Sequence, residues 1–430
     1  MFSSFPARFW AAAALTVALG TPAWANGPDE PLTLREAQAL ALARSHLLVA
    51  NQASAAASRQ MAAAAGQLPD PVLKFGVDNL PLNGPDRLSH SRDFMTMRRI
   101  GVMQELPRAE KRQLRAERFA READRTRAEG QLNLANLQRE TALAWIERHY
   151  TQQMRDVVLR QIQETRLQVQ AAESGYGIGR SSQADVFAAR SALVVLEDRL
   201  SQVEKQLRGA GLMLARWVGT AAQRPTAEAP DWQTSRLDEG KLDEHIPFHP
   251  DLIIRKAQVD AAQTEARLAQ ANRTADWSVE VMYSQRGSAF SNMLSVGVSI
   301  PLQWDRANRQ DRELAASLAM VDEARAKYEE LLRSHEAEVR GLLNDWKTGK
   351  SRVARHRDAL IPLAQQRSEA ALMGYRTGKG DLAATLAARR DEIEARMQAL
   401  VVEMETARSW AQLNFLVPDH PLAVQRQEKP

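Results

Sequence analysis

The chain has 430 residues, no cysteine and a formal net charge of +4. Aromatic residues make up only 6% and mean hydropathy is −0.42, so a thick globular core is poorly supplied. The missing cysteines exclude disulfides, thiol chemistry and a lipidated N-terminal cysteine, and charges of both signs mix along the chain without the clustered Lys and Arg of a nucleic-acid surface.

The first 25 residues read as a secretory signal peptide. Arg8 is the lone charge, residues 9–20 are apolar, and Ala23-Trp24-Ala25 is an A-x-A cleavage site that makes Asn26 the mature start. The apolar run is too short for a retained spanning helix, and no later run of 18 apolar residues occurs. Thr33 and Glu36 form a capping box that opens a helix to about Gln67. Pro69-Asp70-Pro71 ends it, and residues 72–80 alternate, with Leu73, Phe75 and Val77 on one face and Lys74, Gly76 and Asp78 on the other. A turn at 81–86 leads to a second strand over 92–105, whose imperfect alternation at Arg98-Arg99 suggests a bulge or a change of environment.

Pro107 suits a first helical turn. From there to Ser174 nothing breaks the pattern, about 67 residues or about 100 Å at 1.5 Å per residue, which fits a coiled coil or helical tunnel and no globular domain. A tight turn at 175–182 follows, with Ser182 and Asp185 as a second capping pair. The return helix carries an a/d heptad at Val186, Ala189, Leu193, Leu196, Leu200, Val203, Leu207, Ala210, Leu214 and Trp217. Residues 220–240 are the linker between two repeats, 26–219 and 241–417. The second copies the first: a helix from His249-Pro250, strands at about 276–285 and 292–302, a helix of about 70 residues kinked by Pro362, a turn at Tyr375, and a seam through Leu386, Arg390, Ile393, Met397, Leu400, Met404, Ala407, Ala411 and Asn414. Residues 418–430 form a polar tail, expected to be disordered.

Strands of this length can cross a bilayer's hydrocarbon layer when tilted. Open edges cannot exist in lipid, and four strands cannot close a barrel, so spanning strands would have to be shared between copies, eight in a dimer or 12 in a trimer. The other reading left open is a small soluble sheet capping a helical bundle, that is, a secreted or periplasmic coiled-coil structural protein without a channel. The signal peptide and the Tyr and Trp near strand ends favour the barrel.

The order and spacing of these features resemble the TolC-like outer-membrane efflux factors over nearly all of the mature chain. The residues that carry the resemblance are the duplication, Leu68-Pro-Asp-Pro71, Gln104-Glu-Leu-Pro107, and the paired turns Tyr176-x-x-Gly179 and Tyr375-x-x-Gly378. Asp70-Pro71, Met95-Thr-Met97 and Gln104-Glu-Leu-Pro107 look most like the heavy-metal efflux branch. The resemblance implies a mainly α fold with a membrane β-barrel portion, a homotrimer with a 12-stranded barrel in outer-membrane lipid, and a 12-helix periplasmic tunnel. It implies docking to a periplasmic adaptor and an inner-membrane pump, and passive export. On this resemblance Gly175, Tyr176, Gly179, Arg180, Tyr375, Gly378, Lys379 and Gly380 form the periplasmic tips and gate. The resemblance also makes Asp185 a candidate pore-facing carboxylate; where the family has another after the second tip this chain reads Ala383-Ala-Thr-Leu-Ala387, so either Asp381 substitutes for it or that carboxylate ring is missing. Plain turn chemistry explains the same tip residues equally well.

Other candidates are weaker. His245 and His249 have a metal-like spacing, but Pro247 between them prevents one helix face from presenting both. Met95, Met97 and Met103 could offer soft sulfur ligands, though lipid- or core-facing filler is the more ordinary role. Gly175-x-Gly-x-Gly179 lies between two helices and not after a strand, so it is not a phosphate loop. No nucleophile elbow, HExxH or acid/base pair is present, and neither an enzyme nor a bound cofactor or metal is expected.

Overall fold

A computed structural model describes residues 30–179, 181–236 and 246–419. The signal peptide, Arg180, His245 and residues 420–430 lie outside them. Helix α1 (Leu34–Ala43) starts at Thr33, whose hydroxyl accepts from the Glu36 N–H at 3.2 Å. The single helix expected to Gln67 instead breaks at Arg44-Ser45. Ser45 caps a new helix, α2 (His46–Ala65), by accepting from the Leu48 N–H at 3.4 Å. Its counterpart in the second repeat, His249, caps α5 (Pro250–Asn272) by accepting from the Asp251 N–H.

Four strands form one antiparallel sheet in the order β1 (Val72–Asp78), β2 (Met97–Leu106), β3 (Trp277–Gln285), β4 (Met293–Ser299). Strand β2 begins five residues later than the alternation suggested. The Asp93 carboxylate accepts from the Met95 and Thr96 N–H groups at 2.8 and 3.1 Å, a local turn that keeps this stretch off the ladder. No bulge forms at Arg98-Arg99: the register runs unbroken, Arg98 opposite Val77 and Arg99 opposite Gly76. The two repeats meet at β2–β3, where Ile100 pairs with Tyr283 and Gly101 with Met282. Gly101 is required there, since a Cβ would lie 2.7 Å from the Val281 carbonyl oxygen.

Helix α3 (Ala109–Gly177) has 69 residues, about 100 Å of rise. Helix α4 (Gln183–Val218), with 36, returns along only its distal half. The proximal half is covered by α1 and α2: Gln38 donates to the Gln138 carbonyl at 3.0 Å, Asn133 to Asn51 at 2.7 Å, and Arg112 to the Gly66 carbonyl at 3.3 Å. The second repeat is built likewise from α6 (Gln310–Arg355), α7 (Ile361–Arg376) and α8 (Leu382–Asn414), with α5 along the sheet-proximal part of α6. One π-helical turn, His356–Leu360, separates α6 from α7, and the Ile361 N–H donates five residues back to His356. Pro362 follows directly, so the wider turn absorbs the backbone change that a ring without an N–H imposes.

Trp145, Tyr150, Leu214, Trp346, Trp410 and Phe415 form a continuous core about halfway along the hairpins. The inter-repeat linker is strapped across it. The indole N–H groups of Trp145, Trp346 and Trp410 donate to the carbonyls of Leu32, Trp232 and Thr234 at 2.8–2.9 Å. Arg224, largely shielded, pairs with Glu36 at 2.7 Å. Pro418, expected to start a disordered tail, is buried, and Asp419 is held by Gln138 and Arg236. The α4 heptad seam is the packed face: Val186, Ala189, Val203, Ala210 and Leu214 are buried. In α8, Arg390 is exposed and interrupts the expected seam. Burial extends instead over Leu382, Thr385, Ala388 and Glu392 as well as Ile393, Met397 and Ala407, because this helix packs against α3, α6 and α7 together.

Candidate functional site

The hairpin tips are two copies of one turn. In the first, Gly175 O accepts from the Ile178 and Ser181 N–H groups, each at 3.3 Å, and Gly179 takes φ 72°. In the second, Gly374 O accepts from the Lys379 and Gly380 N–H groups at 2.9 and 3.0 Å, and Gly378 also takes φ 72°. A side chain at either left-handed position would be strained. Gly175 has a second constraint, since a Cβ would sit 2.4 Å from Ser181 Oγ.

Both carboxylates singled out at the tips serve helix starts. Asp185 accepts from the Ser182 N–H and hydroxyl at 2.8 and 2.7 Å, while Ser182 Oγ accepts from the Asp185 N–H. The Ser182 backbone N–H, and then its hydroxyl, hold the Asp185 carboxyl below the ordinary carboxylate range. Asp381 occupies the position equivalent to Ser182 and accepts from the Ala384 N–H at 2.5 Å.

The two tips pack on one another through Ala172, Val186, Ala189 and Leu382. Here the tyrosines part company. Tyr375 leans on this cluster and is half-buried, whereas Tyr176 is 53% exposed beside exposed Ile178 and Phe187. Lys379 and Gly380 are exposed, and Arg180 lies outside the described residues. Higher on the hairpins, Arg190–Glu173 at 2.6 Å and Arg367–Asp391 at 3.0 Å tie each pair of antiparallel arms.

At the opposite end the sheet has two unlike faces. Leu73, Phe75, Ile100, Val281, Val296 and Val298 share one, and all are exposed; Phe75 is 81% exposed and Val296 68%. The other carries the ion pairs Lys74–Glu280 at 3.0 Å and Arg99–Asp78 at 2.6 Å. Met97 and Met103 lie half-buried on this polar face rather than on the apolar one; Met95 sits exposed in the loop before β2. Among the described residues no helix is long and apolar enough to cross a membrane. Among the described residues His249 belongs to no metal set: its ring lies against that of His335, centroids 3.9 Å apart and tilted by 44°, buried at the start of α5. No local pattern marks that pairing, because the two histidines are 86 positions apart.

Residues 246–417 match the family model "Outer membrane efflux protein". That match takes in well under half of the chain, so it is a likeness of the second repeat to this family. The efflux-protein match covers nearly all of the second repeat. The chain is 25% identical over 242 residues to the cobalt-zinc-cadmium resistance protein CzcC of Cupriavidus metallidurans. That alignment covers 55% of the chain and 57% of the relative, so the chain spans a little over half the length of the curated relative it matches. The fold resembles the outer-membrane channel OprN (TM-score 0.73, 18% identity, 89% of each chain). It also resembles CusC, described as forming a transmembrane channel (TM-score 0.74, 14% identity, 89% of this chain and 92% of the other). Both of these solved structures are described as channels.

Proposed function

We propose that three copies of this chain form the outer-membrane exit duct of a tripartite efflux system, passively conducting substrates, heavy-metal cations among them, from periplasm to exterior. The observation that carries this reading is the sheet: one face is mostly apolar and largely exposed, and neither β1 nor β4 has a partner on its outer edge among the described residues. Such a face suits lipid, and such edges in lipid must be paired. Pairing β4 of one copy with β1 of the next gives a 12-stranded barrel. The helical hairpins then continue it as a tunnel of 12 helices across the periplasm, and the tips dock a periplasmic adaptor joined to an inner-membrane pump. The metal-resistance relative supports heavy-metal cargo. A coiled-coil structural protein without a channel would leave the apolar face in water at large cost.

The tips divide the gating work. Tyr375 joins the two hairpins of one protomer, while exposed Tyr176 reaches the neighbouring protomer. Gly175, Gly179, Gly378 and Gly380 allow close approach of adjacent tips, Lys379 offers a donor to the adaptor, and Asp185 and Asp381 hold the helix starts. The experiment is membrane fractionation followed by planar-bilayer recording of the purified protein. An SDS-resistant, heat-modifiable trimer in the outer-membrane fraction is expected, with conductance raised by Tyr176→Phe more than by Tyr375→Phe. A wholly soluble monomer overturns the duct; a trimer whose conductance ignores both substitutions overturns the gate.

A further inference from the structure

We propose that the polar face of the sheet is a thioether ladder that binds a soft monovalent cation, Cu(I), in successive steps along the barrel wall. The register carries the argument. Met103 stands opposite Glu280, Met282 opposite Gly101, Met293 opposite Ser284, and Met97 opposite Asp78. These are four consecutive rungs of the polar face, about 7 Å apart at two residues per rung, and each carries one methionine. Met103, Met282 and Met293 are diagonal neighbours across β2, β3 and β4, a relation that places such side chains about 7–8 Å apart at the backbone. The unbranched thioether side chain is flexible enough for two of them to bring sulfurs to one ion.

These methionines have no packing role. None belongs to a hydrophobic cluster, and all four are half-buried or exposed on a face otherwise made largely of Ser, Gly and charged residues. The exposed apolar face behind them carries Val, Leu, Ile and Phe and no methionine in β1–β4. Gly101 matters again here, because any side chain on it would press on the Met282 Cα and Cβ at 3.1 Å. The charged groups nearby do not compete for hard cations: Glu280 is paired with Lys74 and Asp78 with Arg99. What the face offers is neutral sulfur, which selects Cu(I) over divalent cations that prefer oxygen or nitrogen. Spaced sites without charge bind weakly enough to release, as conduction requires.

This inference deepens the duct reading by naming a cargo class, yet the binding itself needs only the folded sheet. The test is titration of the full-length detergent-solubilised protein, labelled at the methionine methyl carbons, with Ag(I) as probe, alongside its K+ conductance in planar bilayers. Ag(I) is expected to shift the methyl resonances of Met97, Met103, Met282 and Met293, and Zn(II) to leave them in place. Changing all four to Leu is expected to weaken Ag(I) binding at least tenfold with K+ conductance unchanged. Unshifted resonances in the unsubstituted protein overturn the ladder, as does a fourfold Leu variant that binds Ag(I) with the same stoichiometry and affinity. Loss of K+ conductance in the unsubstituted protein would instead count against the duct, leaving the binding result to stand by itself.

Discussion

The belt halfway along the hairpins and the sheet at their end spend apolar side chains in opposite ways. In the belt, Trp145 is fully buried, Trp346 and Trp410 nearly so, and each indole N–H has a carbonyl partner. In the sheet, Phe75, Leu294 and Val296 are exposed, and their backbone groups are satisfied only within the ladder. The belt is a water-soluble core in miniature, closed by this chain alone. In the proposed trimer the sheet is finished only when lipid and neighbouring copies cover it. One polypeptide is therefore suited to two solvents, and a substitution should report which solvent its region meets.

The sharpest test within the belt is acid. Burial, then His335 and Arg139, lower the pKa of His249 from 6.5 to about 3. Between those values the unfolded chain takes up a proton that the folded chain refuses. The stabilisation is thus complete above about pH 6.5 and drains away as pH falls toward 3, by on the order of 5 kcal/mol at the lower end. Melting temperature against pH should show this loss, and His249→Asn, which keeps a capping side chain but cannot titrate, should flatten it; an unchanged slope would clear His249. Next comes Trp145→Ala, expected to cost about 3–5 kcal/mol through a cavity and an orphaned Leu32 carbonyl. Its readout is the denaturant midpoint of helical circular dichroism, and a shift worth under 1 kcal/mol would mean the belt is not the stabilising core. Smallest is Val296→Arg on the outward face, expected to cost about 2–4 kcal/mol of folding in lipid, whereas Ser295→Arg beside it costs little. Equal effects in a vesicle-folding titration would erase the distinction between the faces.

Much of this could be read from short-range pattern. Thr33 and Ser182 act as capping residues, residues 72–78 alternate, and the α4 seam packs where its heptad lies, since each depends on neighbours a few positions away. The break at Ser45 had the same kind of signal, a capping residue inside an alanine-rich run, and the strong helical pattern on both sides masked it. The methionine face was legible in parity: Met97 and Met103 are in phase with Arg99 and Gly101, out of phase with Ile100 and Val102. The unequal tyrosines and the His249–His335 contact were not, because each depends on which distant helix lies alongside.

The strapped linker also sets an order of events. Leu32, near the start of the described chain, is held by Trp145, and the same core is closed by Trp410 and Phe415 almost 400 residues later. A chain emerging from the N-terminus during export could form its first hairpin but could not complete this core until its last helix arrived. Contacts of such wide sequence separation are slow to form. Closure of this core before the last helix arrives is therefore disfavoured by topology.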